Sequence, residues 1–406
     1  MGILFGHPSG NPNSHHAALA HFEAGRLAAF CVAWMPSLMT LKILSAVPGW
    51  HGLAKRLARR RFEPLACAPK IQGRLGELRR LVLRASGQGN EGLAYEANDW
   101  LMRTMASACR RMDVSAVHSY EDCSLWQFEA AKRQGKPCIY DMPIGYSPAW
   151  KQIQLKLVEK YCDWLPSKGL TPVSWERPEQ KRREMELADL VLAPSTFVRE
   201  TILRFHPNKK VALVPYGVDL DFWHPPPIGR RDTSSNRFRF IFAGQCSLRK
   251  GTPMLLDAWD KAGLKDAELI LVGSWLLAPE RKSYLPSNVI LVGPVSSAEL
   301  LNRYHEADVF VFPSYFEGFA LALLEAMACG LPVISTPILS GMELLSHATG
   351  REINTGDTDA LVEALCWFSA NREKIPRMRT AARSAVEKFT WENYRRAVNS
   401  ECKVFT

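Results

Sequence analysis

Two glutamates in the last quarter of the chain have the residue type and spacing to bind a hydroxyl-rich ligand. Seven residues separate Glu317 from Glu325, and the segment 319–329 is apolar apart from Glu325. A carboxylate buried in such a helix without a partner is costly, so Glu325 requires hydrogen-bond donors, and sugar hydroxyls would serve. Glu317 lies just ahead of the helix, beside backbone N–H groups that suit anions and hydroxyls. In the structural alternative, Glu317 complements the helix dipole and Glu325 pairs with a neighbouring Arg or Lys.

A strand and a helix must position these carboxylates. Val309–Phe312 has the composition of a buried strand, Pro313–Ser314 ends it, and a helix opens near Gly318. Apolar strands and amphipathic helices alternate around this unit, which predicts a parallel sheet covered on both faces. The other strands predicted here are 238–243, 269–273, 289–292 and 332–336, and the helices are 253–262, 298–306 and 319–329.

A proline-rich segment separates this region from an earlier one of the same kind. Residues 223–237 contain three consecutive prolines followed by Gly, Ser, Thr and Asn, a composition that excludes a helix or a central strand. Before it, predicted strands at 115–118 and 138–140 alternate with helical stretches such as 121–133. The predicted fold is therefore α/β, with two domains and a cleft between the carboxyl ends of their sheets, where open parallel sheets bind ligands.

Length and composition agree with two globular domains. The 406 residues are 47% hydrophobic and 23% charged, which excludes a disordered tail, a collagenous repeat and a multi-span membrane protein. The 10 cysteines are scattered, which favours a reducing compartment, and the N-terminus predicts a strand and not a signal peptide. The net charge of +10 suits a partner that carries phosphates: nucleic acid, an anionic membrane or a nucleotide.

The segment 309–336 resembles the E-x7-E signature of the retaining glycosyltransferases of family 4, which have the GT-B fold of two Rossmann-like domains. Other landmarks of that family follow in the same order along this chain. They are Pro215–Asp219 (PYGVD), Phe240–Gly251 (FIFAGQCSLRKG), Asn288–Gly293 with Ala307–Phe312, and Phe389–Tyr394 (FTWENY). The resemblance implies an acceptor-side domain, a linker, a nucleotide-sugar donor domain and a closing helix that returns to the first domain. Their predicted bounds are 1–222, 223–237, 238–389 and 390–406.

The resemblance also implies roles for individual residues of the second domain. Lys250 matches the basic residue that holds the donor diphosphate, although a lysine in a solvated turn is the alternative. Gln245 stands where the family usually has an Arg, so the diphosphate loses one expected cation, which Arg249 could replace. The first glutamate and the backbone after it contact the transferred sugar in the family, and the second accepts hydrogen bonds from the ribose. These roles fall on Glu317, Gly318, Phe319, Ala320 and Glu325.

Two residues of the first domain are further candidates. Gly10 lies in a loop after the strand Ile3–Phe5, where a glycine permits close approach to a phosphate or acceptor, or simply makes a turn. His118 is similar to the family's strand-end histidine, which contacts the donor sugar near the reacting carbon. Lone histidines are more often structural, and we expect the strand-end position to favour the catalytic role.

Two other patterns imitate metal sites. Asp219 and Asp221 spell D-x-D, but in this linker position we expect them to turn the chain. Histidines cluster near the N-terminus without the spacing expected of zinc, so no metal and no other cofactor is expected there. These histidines are His7, His15, His16 and His21.

The predicted function is a retaining, metal-independent hexosyltransferase. It would move a sugar from a nucleoside diphosphate to a hydroxyl of a glycan or a lipid-linked acceptor, in surface polysaccharide or glycoconjugate synthesis. The competing hypothesis, motivated by Gln245, is a weak or inactive sugar-nucleotide-binding scaffold. Nucleic acid is not an expected partner, because no aromatic-and-basic platform or helix-turn-helix pattern accompanies the charge.

A basic stretch in the first domain indicates a further partner. Basic residues dominate Lys55–Arg84, interrupted only by Glu63 and Glu77. Such a face could lie on an anionic membrane, or it could be a solvated, arginine-rich helix pair. The expected localisation is cytoplasmic, with peripheral attachment to the inner face of the cytoplasmic membrane if the first alternative holds.

Overall fold

The structure is a computed structural model, and it describes residues 2–8, 10–85, 92–166, 177–227 and 237–405. The predicted linker, 223–237, therefore lies largely outside the described residues, and the predicted domain bounds stay a prediction. The elements named below belong to the described ranges.

The first sheet has seven strands in the order β3-β2-β1-β4-β5-β6-β7, and each neighbouring pair is parallel. Three of its inner strands, β1, β5 and β6, are buried along their whole length, as expected for a sheet covered by helices on both faces. The strands are β1 (Gly2–Gly6), β2 (Leu27–Val32), β3 (Lys70–Gln72), β4 (Val114–Tyr120), β5 (Cys138–Asp141), β6 (Leu190–Ala193) and β7 (Val211–Leu213).

Nine α-helices of the described residues connect these strands. Several begin at a residue that caps free N–H groups; in α1 the Asn11 side chain accepts from the Ser14 backbone N–H, and in α9 Ser195 accepts from Val198. The helices are α1 (Pro12–Glu23), α2 (Leu38–Ala46), α3 (His51–Ala58), α4 (Arg74–Ala85), α5 (Gly92–Arg111), α6 (Leu125–Lys132), α7 (Ser147–Lys160), α8 (Pro178–Leu187) and α9 (Thr196–Leu203).

The second sheet has six parallel strands in the order β10-β9-β8-β11-β12-β13. Two strands that are far apart in sequence, β8 and β11, are neighbours at its centre, so the loops that follow them meet at one edge. The strands are β8 (Phe238–Ala243), β9 (Ala267–Val272), β10 (Val289–Gly293), β11 (Val309–Phe312), β12 (Val333–Ser335) and β13 (Gly350–Glu352).

The last helix of the chain crosses back to the first domain. In α15, Trp391 stacks on the His16 ring of α1 at 4.4 Å between centroids, and Asn399 accepts a hydrogen bond of 2.7 Å from Arg26. This contact agrees with the predicted return of the closing helix. The helices of this region are α10 (Thr252–Ala262), α11 (Ser297–Glu306), α12 (Leu321–Ala328), α13 (Thr358–Ala370), α14 (Ile375–Val386) and α15 (Trp391–Cys402).

The predicted α/β fold with two Rossmann-like sheets is confirmed, while several element ends differ from the prediction. The helix predicted at 121–133 begins at Leu125, because Asp122 takes a left-handed conformation with φ 68°. The helix predicted at 319–329 begins at Leu321, after Ala320 with φ 47°. Among the described residues, no helix combines the length and apolar character needed to cross a bilayer.

Candidate functional site

The loops after β8 and β11 bring Lys250 and Glu317 together. The Lys250 Nζ lies 2.6 Å from Glu317 Oε1, and Arg249 Nη1 lies 3.0 Å from the same oxygen. The Ser314 hydroxyl donates a third bond to Glu317, at 2.6 Å, and Lys250 also stands 4.5 Å above the Phe312 ring. Three donors therefore converge on one carboxylate at the edge of the second sheet.

The electrostatics of this cluster keep Glu317 ionised. Glu317 is only 6% exposed, and its burial raises its pKa, but Lys250, Arg249 and the Ser314 hydrogen bond outweigh that effect, so the pKa of Glu317 lies below its usual value. Burial lowers the pKa of Lys250, with Glu317 acting in the opposite direction. Two cations against one carboxylate leave a net positive charge, and an anionic ligand would compensate it.

The backbone after Glu317 approaches the first domain closely. A Cβ atom on Gly318 would lie 1.7 Å from the Pro143 carbonyl oxygen, so only glycine fits at this contact. The Gly318 carbonyl accepts a hydrogen bond of 2.6 Å from Ser195, and the Glu317 carbonyl accepts one of 3.1 Å from the Gly145 N–H. The loop that carries Glu317 is thus held between the two domains.

The conformation of Ala320 starts α12 directly behind this loop. Ala320 has φ 47°, in the left-handed region that an L-residue adopts at a cost in strain energy, and α12 begins at the next residue. The neighbouring Phe319 side chain is buried against Tyr216, with ring centroids 5.8 Å apart. The Phe319 and Tyr216 side chains anchor the loop, and the N–H groups at the start of α12 lie beside Gly318.

Glu325 lies one turn into α12 and is partly buried. Burial raises its pKa to about 7. Among the described residues Glu325 forms no ion pair, so the predicted structural alternative, a partnering Arg or Lys, is not observed there. Its side chain instead lines a cavity.

This cavity, of about 450 Å³, lies between the two domains. Glu325 and Ser297 line it from the second domain, and Arg59 and Arg61 from the first. The beginning of α1, at Asn11, and the closing helix, at Trp391, complete the wall. A carboxylate therefore faces arginines from the other domain across a space large enough for a small ligand.

His118 lies in the interior of the first domain and not at a strand end, which corrects its predicted position. Strand β4 continues to Tyr120, and the His118 ring is fully buried against Phe5. His118 Nδ1 lies 2.9 Å from His21 Nε2, and burial lowers the pKa of His118 to about 3. The ring is therefore neutral, as expected of a histidine in a core, and its catalytic role stays a prediction without a contact to the Glu317 cluster among the described residues.

Gly10 and Gln245 occupy the predicted loops. Gly10 has φ 69°, and a Cβ atom there would lie 2.6 Å from His15 Nε2, so the turn requires glycine. Gln245 is exposed in the loop after β8, while Arg249, four residues later, contacts Glu317 and donates to the Phe316 carbonyl at 2.8 Å. A cation is thus present beside Lys250 at a position different from the one that the resemblance implies.

The two patterns that imitate metal sites have structural roles. Asp219 Oδ1 accepts from the backbone N–H groups of Asp221 and Phe222 at 3.1 and 3.0 Å, the turn that was expected. His15 stacks on Phe62 and His7 accepts from the Gly10 N–H. In the part of the chain that the structure describes, the group of three potential metal ligands is His21, His118 and Cys402, in which the two histidines already bond to each other.

The first-domain residues that contact the Glu317 loop are not among the residues predicted from the sequence. They are Pro143, Gly145 and Ser195, which follow β5 and β6, and their position directly after buried strands is the sequence feature that could have indicated them. Arg59 and Arg61 were included only as part of a basic stretch. Their position beside Glu325 depends on how the domains face each other, which no local pattern encodes.

Comparison with known proteins assigns the family. Residues 237–371 match the family profile described as Glycosyl transferases group 1, and residues 49–222 match Glycosyltransferase Family 4, which together include most of the chain. The chain belongs to glycosyltransferase family 4. Both sheets described above lie largely within these two matches.

The curated relatives of this family 4 glycosyltransferase are named for different reactions. This chain is 30% identical over 283 residues to the D-inositol 3-phosphate glycosyltransferase of Paenarthrobacter aurescens, and the match covers 57% of this chain and 65% of the relative. It is 26% identical over 220 residues to the alpha-galactosylglucosyldiacylglycerol synthase of Streptococcus pneumoniae, covering 50% and 58%. The chain thus spans between about half and two thirds of the length of these relatives.

Solved structures confirm the GT-B fold of the family 4 glycosyltransferase. The sucrose-phosphate synthase of Thermosynechococcus elongatus matches with a TM-score of 0.65 at 17% identity, over 100% of this chain and 98% of that one. Anabaena HepE in complex with UDP matches with a TM-score of 0.64 at 16% identity, over 100% of both chains. At these identities the likeness shows the fold alone.

Proposed function

We propose that the protein is a retaining, metal-independent glycosyltransferase. It moves a sugar from a nucleoside-diphosphate sugar to a hydroxyl of a glycan or lipid-linked acceptor, in surface polysaccharide or glycoconjugate synthesis. The observation that carries the proposal is the buried cluster in which Lys250 and Arg249 both contact Glu317. The UDP and UDP-glucose bound to HepE support a nucleotide-sugar donor.

In the proposed reaction, charge develops on the departing diphosphate and on an oxocarbenium-like sugar. Lys250 and Arg249 stabilise the diphosphate oxygens, and the N–H groups at the start of α12 add partial positive charge. Glu317 and the backbone of Gly318–Ala320 orient the sugar, and Glu325 accepts hydrogen bonds from the ribose. The acceptor hydroxyl attacks the face from which the diphosphate leaves, and a diphosphate oxygen takes its proton, so configuration is retained.

A donor screen tests the proposal. A true donor stabilises the folded state, so one of UDP-, GDP- or ADP-glucose should raise the melting temperature at saturating concentration. The same donor should be hydrolysed slowly when no acceptor is present. If no sugar nucleotide shifts the melting temperature or is turned over, the proposed reaction is wrong.

Replacing Gln245 with arginine separates the enzyme from the inactive scaffold. The variant adds a cation to the exposed loop beside Lys250, and we expect kcat/KM for the donor to rise by about threefold to tenfold, because an added charge-assisted hydrogen bond strengthens diphosphate binding. Gln245→Ala is the control and should not gain activity. A scaffold without catalytic function would show no turnover in the wild type, with activity emerging only in Gln245→Arg.

Donor binding should become tighter as pH rises through about 7. The pKa of Glu325 is raised to about 7 by burial, and its ionised form is the stronger acceptor for two ribose hydroxyls because both of its oxygens share the negative charge. Between pH 6 and pH 8 the Kd of the intact sugar nucleotide, measured by calorimetry, should fall by roughly threefold to tenfold. The pKa values of His15 and His16 are lowered by burial to about 4 and about 3, so these rings stay neutral throughout.

Glu325→Gln is the matched control for this pH dependence. The amide keeps the shape of the side chain but does not titrate, so the Kd of the variant should be independent of pH over the same range. Equal pH dependence of the Kd in the wild type and in Glu325→Gln would show that Glu325 does not bind the ribose.

We also propose peripheral attachment to the cytoplasmic face of an anionic membrane. The exposed cations within the basic stretch Lys55–Arg84 support it, as does the diacylglycerol in the name of the streptococcal relative.

A further inference from the structure

Helix α2 is apolar on nearly all sides, yet it lies on the surface of the first domain. Its sequence, LMTLKILSA, contains one charged residue, Lys42. A helix of this composition is normally buried in a core or in lipid. Only Leu44 is buried among the nine residues, so most of the apolar surface of α2 has no protein covering among the described residues.

The inner side of α2 belongs to a small separate core. Leu44 packs with Trp34, Ala54, Leu57 and Leu81, a cluster distinct from the main core of the protein. This cluster accounts for one side of the helix and holds α2 against α3 and α4. The opposite side requires another explanation.

The outer side forms a continuous exposed apolar surface, which we call the docking surface. Met39 is 74% exposed and Ile43 is 59% exposed, four residues apart and hence on one face of α2. Exposed apolar side chains grouped in this way mark an interaction site, whereas scattered ones do not. The docking surface consists of Leu38, Met39, Ile43, Val47 and Trp50.

Positive charges lie within and next to the docking surface. Lys42 lies within α2, and Lys55 and Arg56 lie on α3, which packs against it; all three are exposed. No acidic residue occurs between Leu27 and Phe62, so this part of the chain is purely cationic. An apolar face with a cationic border is complementary to the acyl boundary and headgroups of an anionic bilayer.

Several other arginines of Lys55–Arg84 are engaged in ion pairs. Arg60 and Arg80 both contact the buried Glu77, and Arg61 contacts Glu63. Arg79 pairs with Glu96 at the surface, and the side chain of Arg84 lies outside the described residues. Among the described residues, the exposed cations of this stretch that form no ion pair are Lys55, Arg56, Arg59 and Arg74, and the first two lie on α3, which packs against α2.

We propose that the docking surface inserts into the headgroup–acyl boundary of an anionic lipid bilayer. With nine residues, α2 lies in the plane of the interface and is too short to cross it. The ammonium and guanidinium groups of Lys42, Lys55 and Arg56 contact lipid phosphates, while Met39 and Ile43 enter the acyl region. This docking does not require the proposed transfer reaction.

Helix α3 connects the docking surface with the interdomain cavity. Its C-terminal neighbour Arg59 lines the cavity, which Glu325 also lines. We therefore expect docking through α2 and α3 to hold this end of the cavity near the membrane surface. This consequence rests on the proposed function, since a lipid-linked acceptor would then reach the cavity without leaving the bilayer.

Vesicle flotation with matched variants tests the docking. The wild type should float with phosphatidylcholine vesicles that contain phosphatidylglycerol and much less with phosphatidylcholine alone. Met39→Glu/Ile43→Glu should reduce the bound fraction by about tenfold or more, because two charges enter the apolar layer. Leu155→Glu, at a position 61% exposed on α7, is the control and should float like the wild type.

A second pair of variants tests the cationic border. Lys55→Glu/Arg56→Glu should weaken flotation and reduce its sensitivity to salt. Lys265→Glu/Lys282→Glu changes the net charge by the same amount at exposed lysines of the second domain, and it should float like the wild type. Circular dichroism melting of each variant verifies folding.

Three results would overturn the docking proposal. They are a wild type that stays unbound to anionic vesicles at low salt, equal flotation of Met39→Glu/Ile43→Glu and wild type, and a dimer in solution that only Met39→Glu/Ile43→Glu dissociates. Donor hydrolysis in lipid-free solution separates this proposal from the proposed function. Met39→Glu/Ile43→Glu should hydrolyse the donor at the wild-type rate, so absent hydrolysis with intact flotation would count against the transfer reaction alone.

Discussion

Replacing Lys250 with methionine should lower kcat for the donor by about 10²–10³-fold, the usual effect of removing one preorganised group that stabilises transition-state charge. The Lys250 ammonium lies 2.6 Å from Glu317 and 4.5 Å above the Phe312 ring. A water molecule in its place would carry no charge to make either contact. Methionine retains most of the volume of the side chain and removes its charge and its N–H donors. Initial rates of donor hydrolysis and of transfer measure the effect.

Lys261→Met provides the control for Lys250→Met. Lys261 is exposed on α10, and its ion-pair partner in the described part of the chain is the exposed Asp359, so its loss should leave the rate unchanged. Lys250→Met also leaves Glu317 with one cation fewer, and we expect melting to report a loss of about 1–3 kcal/mol. The double variant Lys250→Met/Glu317→Gln should recover part of that stability without recovering activity. Wild-type turnover in Lys250→Met would exclude the proposed role of the lysine.

Replacing Gly318 with alanine should lower kcat by at least about tenfold without unfolding either domain. The new Cβ atom would lie 1.7 Å from the Pro143 carbonyl oxygen, and both partners are backbone, so the loop or the domain must move by about 1–2 Å. The hydrogen bond from Ser195 to the Gly318 carbonyl would be lost with it. Rates measure the loss, and small-angle scattering should show a larger radius of gyration.

Gly76→Ala is the matched control for the alanine substitution. Gly76 lies in α4, and no atom of the described residues is near the position of its missing Cβ, so the variant should keep wild-type activity and should gain up to about 1 kcal/mol of stability. If Gly318→Ala retains both the wild-type rate and the wild-type radius of gyration, the contact between Gly318 and Pro143 is not part of the active conformation.

Local patterns predicted the second domain better than the first. Its strands are short, continuous apolar runs separated by amphipathic helices, and β8 and β11 have the predicted bounds. The ends of elements were less accurate where a single left-handed residue decides them, as at Asp122 and Ala320. Such a conformation in a non-glycine residue is imposed by the surrounding contacts, so the residue type does not reveal it.

The candidate site was predictable in its parts but not in its arrangement. The positions of Lys250 and Glu317 after two predicted strands indicated one edge of one sheet, because neighbouring parallel strands end together. His118 shows the limit of the same reasoning. Its strand was predicted to end there, but two further residues belong to β4, which leaves the ring in the core beside His21.

Periodicity and residue type are local properties, so the α/β class, the alternation of strands and helices and the acid and base types that a sugar-nucleotide site requires could be predicted from the sequence. The contact of Arg249 with Glu317, 68 positions away, and the contact of Gly318 with the other domain arise only when the chain folds. The fold also sets which positive charges are free. Arg60 and Arg80 neutralise a buried glutamate while Lys55 and Arg56 face solvent beside an apolar helix, since pairing depends on distances that only folding creates.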